Sequence, residues 1–213
     1  MGVFKRAFAF ILTAAMLISA AGCSKSHKAF SISDIESVSV SRGAVVYSDV
    51  AYFSSDIMSP KKLDGKPASI HSEEMNAQSL YNVAVDRFHM LPAVEVKEAF
   101  YICTWQKDDG GQYADTEAYL LVFNDTKTAE KLFGALEVQQ ITGWPDGKYA
   151  SGNKGYYYST VCYDTNTGKY ERGIYRAKNT LLYVKGVCKY GTEDALVAEV
   201  CDKLGVVSPM KAK

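Results

Sequence analysis

The sequence predicts an α+β fold: an antiparallel β-sheet of about five to seven strands with two or three helices packed on one face. Three observations predict it. Runs rich in aromatic and β-branched residues are separated by short Gly, Asn and Asp turns, which leave no room for helical crossovers and so force antiparallel pairing. Between these runs lie stretches whose apolar residues recur every three to four positions, as in a helix resting on a sheet. The 213-residue chain is 47% hydrophobic, enough for one core, and no Pro-rich or Gly/Ser-rich linker divides it.

Element by element, Val38, Val40 and the segment 44–47 around Arg42-Gly43 read as two short extended pieces. Segment 60–70 reads as loop. Ser72 then stands before Glu73-Glu74 as a helix cap with acids in the first turn, and Ala77, Leu80, Ala84, Phe88 and Leu91 form the apolar stripe of a helix ending before Pro92. Segments 100–105 and 118–123 flank Asp108-Asp109-Gly110-Gly111 as a hairpin with a long loop. Asp125 or Thr126 caps a second helix with Ala129, Leu132, Phe133 and Leu136 on its apolar face. Segments 155–164, 170–177 and 180–188, separated by Asn166-Thr167-Gly168 and Lys178-Asn179, form a three-stranded meander. A last helix begins after Thr192, ends at Gly205, and buries Leu196, Val197, Val200, Cys201 and Leu204.

Charge excludes one class of function. Lys plus Arg and Asp plus Glu number 24 each, so the chain lacks the basic surplus with which a nucleic-acid binder neutralises phosphates. No nucleic-acid partner is expected.

The N-terminus differs from everything after it. Lys5 and Arg6 precede an apolar run, 7–21, broken only by Thr13 and Ser19. The run is too short to span a bilayer as a helix, but it fits the apolar core of a secretory signal peptide. Ala20-Ala21-Gly22-Cys23 resembles the lipobox of bacterial lipoprotein precursors, with Ala20 where that family most often has Leu. The resemblance implies that Cys23 receives a thioether-linked diacylglycerol and becomes the mature N-terminus. It implies an organisation of signal peptide 1–22, lipidated tether 23–33 and a single α+β domain 34–208. The membrane partner is then reached through the lipid, since the near-neutral body has little attraction for anionic headgroups. The implied location is the cell membrane or outer membrane, with the domain facing outside the cytoplasm. The order of the later elements is also similar in topology to small exported bacterial domains of the sensor and PsbP-like kinds, a likeness that carries no activity.

Outside the cytoplasm disulfides are permitted. The meander turns place Cys162 opposite Glu171 and Glu171 opposite Gly186, so Cys162 and Cys188 lie two strands apart, beyond disulfide reach. Cys188 with Cys201, on the last helix, is the pair that geometry favours. The competing reading is that these cysteines stay reduced and serve as small hydrophobes.

The search for chemistry finds no metal-ligand spacing among His27, His71 and His89, and no nucleophile, nucleotide or glycosidase motif. No cofactor is implied. The remaining feature is 15 tyrosines. Alternation groups Tyr157, Tyr163 and Tyr183 on one sheet face edged by Arg172, Arg176 and Lys185, a row able to stack on a sugar or peptide. The expected function is a non-enzymatic, lipid-anchored domain binding a peptide, glycan or protein through that exposed face. The alternatives are an envelope hydrolase or thiol enzyme whose site is assembled from distant residues, such as Cys103 with His89, and a structural or assembly lipoprotein.

Overall fold

The computed structural model describes residues 27–59, 63, 65–88, 94–108, 111–166, 168–188 and 191–212. The signal segment, Cys23 and His89 lie outside the described residues. The elements are α1 (Ile32–Ser41), β1 (Val45–Tyr47), α2 (Val50–Met58), β2 (Ala68–Glu73), α3 (Glu74–Phe88), β3 (Glu98–Asp108), β4 (Gly111–Val122), α4 (Thr126–Gly143), β5 (Lys148–Asn153), β6 (Tyr157–Thr165), β7 (Gly168–Ala177), β8 (Thr180–Cys188) and α5 (Ala195–Lys203), followed by a 3-10 turn at Pro209–Lys211.

The class is α+β, with three corrections to the expected architecture. Among the described residues the sheet has eight strands, in the order β1-β2-β3-β4-β8-β7-β6-β5, rather than five to seven. It is mixed, because β1 lies parallel to β2 with α2 crossing between them. The described residues form five α-helices rather than two or three, and these cover both faces rather than one. Phe53 and Ile57 of α2, Leu80 and Tyr81 of α3, and Leu132 and Leu136 of α4 pack with Tyr101, Tyr119 and Tyr183 on one side. Ile35 of α1 and Leu196 and Val200 of α5 pack with Phe100, Leu120 and Leu182 on the other. A central strand buried on both faces needs helices on both, and β3, β4 and β8 supply alternate apolar residues to each side.

Local sequence explains where these elements start. In α1 the spacing Ile32, Ile35, Val38 builds a buried stripe, while Val40 is 68% exposed. The alternation Val38-Ser39-Val40 imitates a strand, and helical burial prevails over it. Ser39 turns inward to share a 2.5 Å hydrogen bond with Ser69 of β2. Ser72 is a buried strand residue and caps no helix; α3 begins abruptly at Glu74, whose φ of 51° turns the chain out of β2. Asp125 caps α4 by accepting from the Thr128 amide, and Asp194 caps α5 by accepting from Leu196 and Val197. Gly205, with φ of 69°, ends α5 in the left-handed conformation that favours glycine.

The meander has the expected register, Cys162 opposite Glu171 and Glu171 opposite Gly186. Residues 27–33, expected as tether, are packed onto the domain. The His27 amide donates to the Gly155 carbonyl, the Phe30 amide donates to the Thr180 hydroxyl, and Phe30 is 4% exposed. Among the described residues no helix is long and apolar enough to cross a membrane.

Candidate functional site

Strand alternation puts Tyr170, Arg172, Ile174 and Arg176 of β7 on one face. Register adds Tyr163 opposite Tyr170, Tyr157 opposite Arg176, and Tyr183 opposite Ile174. The five residues singled out from the sequence, Tyr157, Tyr163, Arg172, Arg176 and Tyr183, therefore share a face. That face is not open to solvent. The stripe of α4, Ala129, Leu132 and Leu136, lies across it, leaving Tyr163 7%, Tyr183 4% and Arg176 8% exposed, with Tyr157 alone well exposed at 45%. An amphipathic helix must rest on an apolar floor, and the tyrosine rings are that floor.

Covering by α4 divides the row in two. At one end the Arg176 guanidinium lies 4.2 Å from the Tyr157 ring centre, with Nη1 3.2 Å from Glu130 Oε1 of α4. Phe133 meets the Tyr157 ring edge at 6.5 Å. This end fastens the helix to the sheet. At the other end α4 stops at Gly143, and Trp144 folds over the sheet. Its ring lies 3.8 Å from the Arg172 guanidinium and stacks on Tyr163 at 4.7 Å. Arg172 Nε donates to the Tyr163 hydroxyl at 3.0 Å, and Tyr163 stacks on Tyr170 at 5.6 Å. The Tyr149 hydroxyl donates to the Trp144 carbonyl and holds the turn.

Trp144, Tyr170, Arg172 and Lys185 are all partly exposed, so the last rungs of the sheet beyond α4 form an aromatic rim carrying positive charge. Burial raises the Tyr163 pKa and the Arg172 charge opposes that rise, so the phenol stays neutral and accepts from the guanidinium. Beneath Trp144 a cleft lined by Leu136, Gln140, Arg172 and Tyr183 has room for about one water. A larger guest must lie on the rim rather than inside it. Trp144 and Tyr170 were not among the residues expected at the site. The signal for Trp144 is Gly143-Trp144-Pro145, a helix stop that leaves an indole just past the covering helix.

The opposite face of β7 holds a different group. Glu171 is fully buried; its Oε1 accepts from the Asp194 amide at 2.7 Å and its Oε2 has no hydrogen-bond partner among the described residues. Burial, reinforced by the neighbouring charges of Glu193 and Asp194, pushes its pKa up to about 7.

Cys103, Cys162, Cys188 and Cys201 are free thiols, so Cys188 and Cys201 are not joined in this structure. Burial pushes Cys188 up to about 12 and raises Cys162 and Cys201 as well. Thiols held protonated in this way are poor nucleophiles and behave as small hydrophobes. Of the pair Cys103 and His89, Cys103 is buried among the tyrosines of the α4 face.

No model of a known family, no curated protein and no solved structure matches the chain.

Proposed function

We propose that this protein is a lipid-anchored extracytoplasmic binding lipoprotein that takes an anionic peptide or glycan on the rim formed by Trp144, Tyr170 and Arg172. The observation that carries the reading is the partly exposed indole lying over an arginine at the point where α4 ends. An aromatic ring beside a fixed guanidinium offers a flat apolar contact and a charge-assisted hydrogen bond together, the combination that recognises a sugar ring or peptide bearing a carboxylate. The sequence 20–23 supports the anchor by its resemblance to a lipobox.

The placement of the tether supports the same reading. His27 docks at Gly155, just before β6, whereas Tyr163 lies near the far end of that strand. Seven residues of strand span about 23 Å. A lipid on Cys23, only four residues before His27, holds the Gly155 end near the bilayer and presents the rim away from it, toward ligands in the surrounding space.

Trp144 is the natural reporter. In a Trp105→Phe background it is the sole indole, and the expected outcome is a change in its emission on titration with anionic muropeptides or acidic peptides. By calorimetry, which needs no indole, Arg172→Met and Trp144→Ala each weaken that binding at least tenfold while leaving the circular dichroism spectrum intact. Unchanged affinity in both variants rules the rim out. Separately, metabolic labelling with a palmitate analogue marks the wild-type protein and leaves Cys23→Ala unmarked; an unmarked wild type removes the anchor.

A further inference from the structure

We propose that His71, Glu73 and Glu98 form a binding site for a first-row divalent cation of the Zn2+ class, on the sheet face opposite the aromatic rim. With 60–70 read as loop and Ser72 as a helix cap, the sequence leaves His71 near a helix start, where an imidazole is an ordinary surface group. It lies instead inside β2, where the antiparallel register sets Glu73 directly across from Glu98 and His71 across from Phe100.

His71 Nε2 is 2.8 Å from Glu98 Oε1. One donor atom from each of the three residues falls within 4.8 Å of the others. The Glu74 amide donates to the Lys97 carbonyl, which marks Glu73 and Glu98 as a pair of the non-hydrogen-bonded type, in which the backbones approach most closely and side chains are nearest. Two carboxylates directly opposed there repel each other. A cation between them reverses that sign. Neighbouring strands bonded to each other hold the three donors with little freedom to lose on binding, as a preorganised site requires.

The ligand set selects the metal. An imidazole nitrogen with two carboxylate oxygens suits Zn2+ and its first-row neighbours better than Ca2+ or Mg2+, which take oxygen alone. His71 and Glu98 are 31% and 26% exposed, so the cation can enter and water can complete a fourth position. The site is independent of the rim, and either proposal can fail without the other.

The test uses the full chain in detergent, titrated with Zn2+ by calorimetry and with Co2+ by visible absorption. One equivalent binds, and Co2+ gives weak d–d bands of a nitrogen and oxygen set. Glu73→Gln changes an exposed side chain and keeps the fold; it weakens Zn2+ binding at least tenfold, since even loss of an outer partner costs about 10–100-fold. His71→Asn does the same. The variants also predict a crossing of signs: without metal Glu73→Gln has a Tm equal to or above the wild type, because repulsion is relieved, whereas with saturating Zn2+ the wild type rises by more and becomes the more stable of the two. Failure of the wild type to bind at micromolar free metal overturns the proposal. So does an intense thiolate-to-cobalt band with affinity unchanged in both variants, which assigns the metal to the cysteines.

Discussion

Glu171 and Arg172 are neighbours in the chain and opposites in their surroundings. Strand alternation sends Arg172 to the α4 face, where the Trp144 ring and the Tyr163 hydroxyl receive its guanidinium. It sends Glu171 to the α5 face, where Oε1 accepts from the Asp194 amide and Oε2 is buried with no hydrogen-bond partner among the described residues. The difference teaches how each sign of charge tolerates losing water, Arg172 in part and Glu171 altogether. A delocalised cation can be satisfied by the π faces of aromatic residues and stay charged, whereas a carboxylate is acceptor only and, short of donors, keeps its proton instead.

The comparison can be broken most strongly at the core on Glu171's side. Tyr175 follows Glu171 and Gly173 along that face and is fully buried; its ring lies so close to Gly173 that a Cβ there would stand 2.5 Å from it. Tyr175→Ala is expected to cost about 3–5 kcal/mol in urea unfolding, because the cavity lies between β7 and α5 and both are held by other contacts. A loss below about 1 kcal/mol means that this face is loosely packed and the account of Glu171 fails with it.

The next effect is in the opposite direction. In the folded protein Glu171 has its pKa raised from 4.5 to about 7. Below the unfolded value both states hold the proton. As pH rises from about 4.5 to 7 the unfolded chain gives it up first, so stability falls across that window and the penalty is complete above it. Glu171→Gln mimics the protonated group, keeps the acceptor for the Asp194 amide, and is expected to stabilise the protein at pH 8 by on the order of 2–3 kcal/mol while having little effect at pH 4. Chemical unfolding at the two pH values measures it; an equal effect at both, or a loss at pH 8, contradicts the assignment.

The smallest effect sharpens the other side. Arg172→Lys keeps the charge and removes the planar group that meets the Trp144 ring. A loss of about 0.5–1 kcal/mol is expected, with a red shift of Trp144 emission as the indole becomes more hydrated. An unchanged spectrum separates Trp144 from Arg172 and weakens the case for the rim.

Much of the second half of the chain was legible because its signals are local. The turn at Lys178-Asn179 sets the β7 to β8 register, and Asp125 starts α4 through hydrogen bonds within three residues. The first half hides its signals. Residues 68–73 form a central-side strand with polar Ser69, His71 and Ser72, and Ser72 before two glutamates imitates a helix cap. β5, Lys148–Asn153, is an exposed edge strand with no apolar alternation, so pairing to β6 alone defines it. The site was half legible: the parity of Tyr157, Tyr163, Arg172, Arg176 and Tyr183 followed from a period of two, but nothing local says that α4 would lie on them.

What the sequence by itself determined is the α+β class, the meander and its register, the start of α4 at Asp125 or Thr126, the stop of α5 at Gly205 and the lipobox-like segment 20–23. These depend on spacings of a few residues, which short turns and side-chain hydrogen bonds impose wherever the chain goes. Only the tertiary structure decided that β1 runs parallel to β2, that both faces are covered, and that Trp144, Tyr170 and Arg172 form the rim while His71 meets Glu73 and Glu98. Such meetings are chosen by burial summed over the whole molecule, which gives each helix the apolar surface it needs at whatever distance along the chain that surface lies.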